Sequence, residues 1–258
     1  MNVLESFSLQ GRVAVVTGGA GLYGRQIVAA LAEAGAKTYV ASRNLKALEA
    51  LAAQERARGL DVTALAYDQA DEKSILTLCR GIYRKAGRVD VLVNNAVARP
   101  MSDWTDPVKN WDASMKTNVT GLFLITRAFG DRMAKAGQGS IINIGSIYGV
   151  VGPDYWLYEE VGWTQPPDYW FHKGGVQNFT RFVAGYYGPH QVRCNTINPG
   201  GYFNNQDKRF LKRYHKRIFL GRMASDTDLK GIVVFLASDA SAYVTGAAIA
   251  VDGGLTAK

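Results

Sequence analysis

The stretch RVAVVTGGAGLYGRQIVAALAEAG, residues 12–35, decides the fold. Val13, Ala14, Val15 and Val16 form a short apolar run rich in β-branched side chains, the pattern of a strand buried on both faces. Thr17-Gly18-Gly19-Ala20-Gly21 follows with almost no side chain. From Leu22 apolar residues recur at helical spacing until Gly35, a C-terminal stop. Strand, glycine-rich turn and helix in this order make a phosphate-binding entrance. The small residues let backbone N–H groups approach an anion, and the helix start presents partial positive charge to it. Gly19, Gly21 and Gly24 satisfy G-x-G-x-x-G, a spacing that chance also produces in a chain with 28 glycines. Its position between a strand and a helix is what carries weight.

Outward from this unit the chain keeps alternating. The patterns predict strands at 38–41, 62–67, 89–93, 140–144, 192–197 and 248–251, and helices at 44–58, 71–86, 111–136, 171–187 and 227–237. Repeated strand–helix units imply an α/β fold: a Rossmann-type, doubly wound parallel sheet with helices on both faces. No Pro/Ser-rich linker or shift in composition divides the 258 residues, so a single domain is expected. Ligands of such sheets bind beyond the carboxyl ends of the strands, which makes the residues just after each strand the ones to inspect.

Composition narrows the partners. No apolar run reaches bilayer length, and the start MNVLESFSLQG lacks a basic segment followed by an apolar one, so a cytoplasmic protein without a membrane partner is expected. Cys79 and Cys194 lie far apart in apolar contexts and read as free buried thiols. His172, His190 and His215 show no metal-ligand spacing, and no metal is expected. The net charge of +8 points to an anionic partner. Six Lys/Arg and no acid fall between 208 and 217, beside Phe210, Leu211 and Tyr214. On a helix they cannot all face one way. They make either a solvated face over an apolar stripe, or a field that draws in an anionic substrate, to which Arg99 would add. No nucleic-acid motif accompanies the charge, so nucleic acid is not the expected partner.

At the strand ends stand Thr17-Gly18-x-x-x-Leu22-x-Gly24, Asn94-Asn95-Ala96, Asn118, Ser146, Tyr169-x-x-x-Lys173, Asn198-Pro199-Gly200 and Val251-Asp252-Gly253-Gly254. In that order they resemble the signatures of the short-chain dehydrogenases/reductases over nearly the whole chain. Leu22 and Val97 depart from it, each standing where that family usually has glycine. The chemistry fits the residues. Tyr169 and Lys173 are one helical turn apart, and a nearby ammonium lowers the pKa of a phenol that is otherwise a poor base. The resemblance implies that Tyr169 exchanges a proton with a carbonyl or alcohol oxygen as hydride moves to or from a nicotinamide. It also implies that Ser146 hydrogen-bonds that oxygen, that Lys173 also holds the nicotinamide ribose, and that Asn118 holds a water in a proton relay. Among Tyr148, Tyr155, Tyr158 and Tyr169, only the last has a lysine four residues on.

The second strand ends in Ala41-Ser42-Arg43-Asn44, without the carboxylate that NAD binding would want. Arg43, with Ser42, could meet a 2′-phosphate, so NADP(H) is expected rather than NAD(H). The cofactor would be held by Gly18, Gly19, Gly21, Leu22, Tyr23 and Gly24 of the turn, Ser42 and Arg43, then Gln69, Asn95, Ala96, Tyr169, Lys173, Pro199 and Gly200. By the resemblance Asp68 contacts the adenine amino group and Asn94 the adenine ribose.

Ser146 and Tyr169 are 23 residues apart, longer than the family's usual interval, so 153–168 (PDYWLYEEVGWTQPPD) is an insertion. Its Pro-Pro pair and aromatics suit a structured loop, either a substrate wall or lid or an oligomer contact. With the segment 202–220 it would form the substrate side, with Arg99, Ser146, Tyr148, Tyr155 and Tyr202 as candidate contacts. The run Gly145-Ser146-Ile147-Tyr148-Gly149-Val150-Val151-Gly152-Pro153-Asp154, with the insertion, is similar to the subgroup linked to bacterial surface-sugar and flagellin-glycan pathways. The expectation is an NADP-dependent oxidoreductase interconverting a secondary alcohol and a ketone, its substrate a polar or anionic sugar-like small molecule. The alternatives are a 3-oxoacyl-thioester (acyl-carrier-protein) reductase and a non-catalytic NADP-binding regulator. The resemblance also implies a homo-oligomer, a dimer or homotetramer.

Overall fold

A computed structural model describes residues 2–257. Seven strands form one sheet: β1 (Val13–Thr17), β2 (Lys37–Ser42), β3 (Val62–Ala66), β4 (Val91–Asn94), β5 (Gly139–Ile144), β6 (Val192–Pro199) and β7 (Ala248–Val251). All pairings are parallel, in the order β3-β2-β1-β4-β5-β6-β7. The chain therefore winds one way from β1 to β3 and the other way from β4 on. That reversal opens a crevice at the carboxyl ends of β1 and β4.

The period-two alternation of side chains sorts the strands between two cores. Ala14 and Val16 of β1 join Val40, Val93 and Ile142 on one face, under α1 (Leu22–Glu33), α2 (Leu45–Ala57) and α8 (Lys230–Ala237). Val13 and Val15 join Tyr39, Leu92 and Ile141 on the other. That face lies under α3 (Glu72–Ala86), α5 (Gly121–Ala136) and α6 (Pro167–Tyr187). Fully buried side chains such as Ile27, Leu31, Ile75 and Phe129 each stabilise the fold by about 1.5–3 kcal/mol. Cys79 and Cys194 are both buried free thiols in the second core. Burial pushes them up to about 11 and about 12, respectively.

Two helices differ from the sequence pattern in ways that matter for the site. The long helix expected at 111–136 starts at Val108, behind Pro107, and is interrupted by a π-helical turn. It runs as α4 (Val108–Met115), the wide turn Lys116–Thr120, and α5, with the buried Asn118 in the wide turn. The helix expected from 171 begins at Pro167, because proline fits the first helical position, where no N–H is needed. The last two residues of the 153–168 insertion are thus the first of α6, and Tyr169 stands in its first turn. A third apolar cluster lies above the crevice, where Leu157 and Tyr158 of the insertion pack on Phe210 and Tyr214 of α7 (Lys208–Arg217). Among the described residues, no helix is long and apolar enough to cross a membrane.

Candidate active site

The crevice is a cleft of about 1090 Å³. One end is walled by the first turn. Gly18 is held at φ +67°, a left-handed backbone where a side chain is strained, and a Cβ on it would sit 2.8 Å from Ala96 Cα. A Cβ on Gly24 would meet the Gly18 carbonyl oxygen at 2.5 Å, so α1 packs directly on the turn. Thr17 locks the turn to the end of β4: its Oγ1 accepts from the N–H groups of Asn95 and Ala96. Asn95 Nδ2 returns bonds to the carbonyls of Thr17 and Gly18. The N-cap of α1 is Gly21, which offers no side-chain oxygen, and its first turn holds no acid. Uncapped N–H groups and a helix dipole therefore face the cleft, as an anion requires. Leu22 and Val97, the two departures from glycine, are about half exposed on the wall, 47% and 41%.

Ser42 at the end of β2, Arg43 and Asn44 after it, and Asp68 and Gln69 after β3, line the same end. Arg43 is exposed there, with no ion-pair partner among the described residues. A dinucleotide with a 2′-phosphate fits this donor set: glycine turn, uncapped helix, guanidinium, and no carboxylate after β2.

The other end holds the titratable groups. Lys173 is buried, donates from Nζ to the Ile144 carbonyl at 2.6 Å, and lies 5.7 Å from the centre of the Tyr169 ring. From the loop after β4 the Arg99 guanidinium lies 4.5 Å from the same ring centre. Burial alone would raise the Tyr169 phenol. The charges of Lys173 and Arg99, with hydrogen bonds from Ser146 and Arg99, outweigh it and hold the phenol below its ordinary value. Lys173 itself is lowered, first by burial and also by Arg99, against the opposing pull of Tyr169. Ser146 is fixed by its N–H donating to Asn198 Oδ1 at 3.1 Å, and its Oγ accepts from the Tyr148 N–H. Tyr148 stacks on Trp170 and meets Tyr169 edge-on.

The structure brings together at the cleft Ser146, Tyr169 and Lys173, Gly18, Gly21, Leu22, Tyr23, Gly24, Ser42, Arg43, Asp68, Gln69, Asn95, Ala96, Pro199 and Gly200. Arg99, Tyr148 and Tyr202 join them. Four expected residues lie elsewhere. Gly19 packs inward, where a Cβ would strike Val40. The Asn94 amide points into the core, donating to Thr126 Oγ1 and Asn143 Oδ1, because β4 alternates and its last side chain falls on the buried face. Tyr155 is 69% exposed and does not line the cleft. The Asn118 side chain brackets the Ala98 backbone and reaches Ser114 Oγ. It thereby fixes the loop that carries Arg99.

The basic run of α7 is likewise not aimed at the cleft. Arg209 pairs with Asp207, Arg213 with Glu159 and Glu160, and Arg217 with Asp154, while Arg213 and Arg217 both lie against the Trp156 ring. The side that faces the cleft presents Phe210 and Tyr214. The acids of the insertion thus clamp it onto α7, and its Tyr158, Trp163, Thr164, Gln165 and Pro166 wall the cleft. Sequence reasoning also missed Asp168, whose buried carboxylate accepts from Ser114 Oγ at 2.5 Å and ties the start of α6 to α4. Its only signal was a place beside Tyr169. Among the described residues no group of three or more His, Cys, Asp or Glu is placed to hold a metal.

Residues 21–256 match the protein-family model described as Enoyl-(Acyl carrier protein) reductase. The chain is a short-chain dehydrogenase/reductase. Among relatives of the same family, D-threitol dehydrogenase of Mycolicibacterium smegmatis is 34% identical, over 100% of this chain and 98% of its own. Gluconate 5-dehydrogenase of Gluconobacter oxydans is 32% identical, over 98% of this chain and 97% of its own. Among solved short-chain dehydrogenases/reductases, a gluconate 5-dehydrogenase from Burkholderia cenocepacia in complex with NADP and tartrate superposes with a TM-score of 0.90. It is 29% identical, and the alignment covers 100% of both chains.

Proposed function

We propose that this short-chain dehydrogenase/reductase is NADP-dependent and interconverts a secondary alcohol and a ketone on a polyhydroxylated, anionic compound of the sugar-acid class. The observation that carries the reading is Tyr169 with two cations, Lys173 and Arg99, close to its ring, in a cleft whose other end offers uncapped backbone N–H groups and a guanidinium. The dinucleotide would be held by the Gly18–Gly24 turn, Ser42, Arg43 and Asp68. Its nicotinamide would supply the hydride chemistry. Tyr169, poised below its ordinary pKa, takes the proton of the substrate hydroxyl in oxidation and returns it to the carbonyl oxygen in reduction. Ser146 donates a hydrogen bond to that oxygen. Lys173, anchored on Ile144, stabilises the phenolate. Arg99 has no carboxylate partner among the described residues, so it is available to a substrate carboxylate. The threitol relative supports a polyhydroxylated substrate, the gluconate relative and the neighbour crystallised with tartrate support an anionic one, and the NADP in that neighbour supports the cofactor. Exposed Phe182 and Tyr186 on α6, with Phe123 on α5, support a homo-oligomer.

The test is NADP(H) turnover against aldonates and their keto forms, neutral polyols, and β-ketoacyl thioesters. Turnover greatest on aldonates or keto-aldonates supports the reading. Preference for the thioester would make the protein an acyl-thioester reductase. Tight NADPH binding with no turnover on any would make it a regulator.

A further inference from the structure

Arg99 stands in an irregular stretch after β4 that no helix or strand holds, yet its guanidinium lies 4.5 Å from the centre of the Tyr169 ring. Its place therefore depends on how the neighbouring backbone is gripped. Asn118 grips it at Ala98: Oδ1 accepts from the Ala98 N–H and Nδ2 donates to the Ala98 carbonyl, both at 2.8 Å. The second proton of Nδ2 goes to Ser114 Oγ at 3.0 Å, one helical turn back. Ser114, fully buried, donates its single proton to Asp168 Oδ2 at 2.5 Å. Asp168 directly precedes Tyr169 in the first turn of α6. The bonds thus close a circuit, from Asp168 through Ser114 and Asn118 to Ala98 and Arg99, and back to the ring of Tyr169.

Every link in the circuit has a direction, and Asp168 fixes it. A carboxylate accepts and cannot donate. Ser114 must therefore donate to Asp168, which leaves its oxygen to accept from Asn118. That turns Asn118 Nδ2 toward Ser114 and Oδ1 toward the Ala98 N–H. The other Asp168 oxygen is buried without a hydrogen-bond partner, so Ser114 is the carboxylate's one such partner among the described residues. Burying a carboxylate on a single hydrogen bond is costly, and an apolar side chain would fill the space at less cost. What an apolar side chain could not supply is the acceptor.

We propose that Asp168 is a positioning residue, which through Ser114 and Asn118 holds Arg99 against the Tyr169 ring. The inference rests on reading Tyr169 as the proton-handling group. No proton changes owner in the circuit. The groups facing Tyr169 are Lys173 and His172 from its own helix, Arg99 from the loop after β4, Ser146 and Tyr148 after β5, and Tyr23 from α1. Of these, the two cations hold the phenol down. Two effects of Asp168 on that phenol have opposite signs. Its own negative charge, acting directly, would raise the phenol, so its removal would lower it. Its hold on Arg99 keeps a cation close, so release of Arg99 would raise it.

The test is an ultraviolet difference titration of the Tyr169 ionisation in ligand-free protein, each variant compared with the same variant carrying Tyr169→Phe. Asp168→Ala and Ser114→Ala should each move the ionisation up by about half a pH unit or more. Asp168→Asn, whose amide oxygen can still accept from Ser114, should stay within about 0.3 pH unit of wild type. In protein already carrying Arg99→Gln, Asp168→Ala should move it by less than about 0.2 pH unit, because the group it positions is gone. A downward or absent shift in Asp168→Ala refutes the proposal. So does an upward shift of equal size with and without Arg99, or one as large in Asp168→Asn as in Asp168→Ala. Should Asp168→Ala not fold, Ser114→Ala decides in the same two backgrounds. No substrate enters the titration, so its outcome is independent of the turnover tests of the assigned activity.

Discussion

The two ends of the cleft are built by different means. The phosphate end is made largely of backbone: a glycine turn, an uncapped helix start and the carboxyl ends of β1 and β4, locked by Thr17 and Asn95, with the Arg43 guanidinium beside them. The proton-handling end is made of side chains brought from five separate segments, the loop after β4, the end of β5, the insertion, α6 and α7. A backbone site accepts any ligand with the right anion. A side-chain site selects. On the proposed reading, general cofactor binding falls to the first end, and substrate choice and chemistry to the second.

The sharpest way to break that division is Tyr169→Phe. It should lower kcat by about 10²–10⁴-fold, the usual worth of a positioned acid/base, while fluorescence titration shows NADPH binding within about threefold of wild type, since the backbone end is untouched. A large loss of NADPH affinity would show that the two ends are not separable. Arg99→Gln comes next. Steady-state kcat/KM on an aldonate should fall about 100-fold and on a neutral polyol much less, because a charge-assisted, bidentate contact is lost. The same variant removes a cation that lowers the Tyr169 phenol. In the direction of alcohol oxidation the base form acts, so the rise of kcat/KM with pH should move to higher pH.

At the phosphate end, Arg43→Asp should weaken NADPH binding by about 10- to 100-fold, with NADH changed little, as expected for one charged contact. Unchanged NADPH affinity would remove the 2′-phosphate assignment. Smallest is Arg213→Ala, which releases Glu159 and Glu160 from α7 and leaves Arg217 alone against the Trp156 ring. It should raise substrate KM by about three- to tenfold through the cost of reordering the insertion, with kcat nearly kept.

The same contrast explains what the sequence made legible. The sheet, its alternating cores and the phosphate end rest on local signals: runs such as Val13–Thr17, glycines at fixed spacing, and the short polar triplet after β4. Tyr169 and Lys173 were readable because one helical turn joins them. The rest depends on pairings distant in the chain. Arg213 meets Glu159 and Glu160 across more than fifty residues, so the arginines of a run that reads as a basic patch are paired with acids, which the run itself does not show. The direction of the Asn94 side chain was not readable because it is the last residue of a strand, where a shift of one position reverses the side chain. The Ser114–Asp168 bond, and the π-helical turn beneath Asn118, left no periodic trace at all.

Cys79 and Cys194 sit at two depths of one core, the first on a surface helix and the second in an interior strand. Both are protonated and screened in the native fold, so alkylation must wait for backbone opening. The rate at Cys79 then reports fraying of α3, and the rate at Cys194 the rupture of the sheet beside Tyr169 and its partners. Mass spectrometry of the two adducts would time both events in one sample, with no label added by mutation.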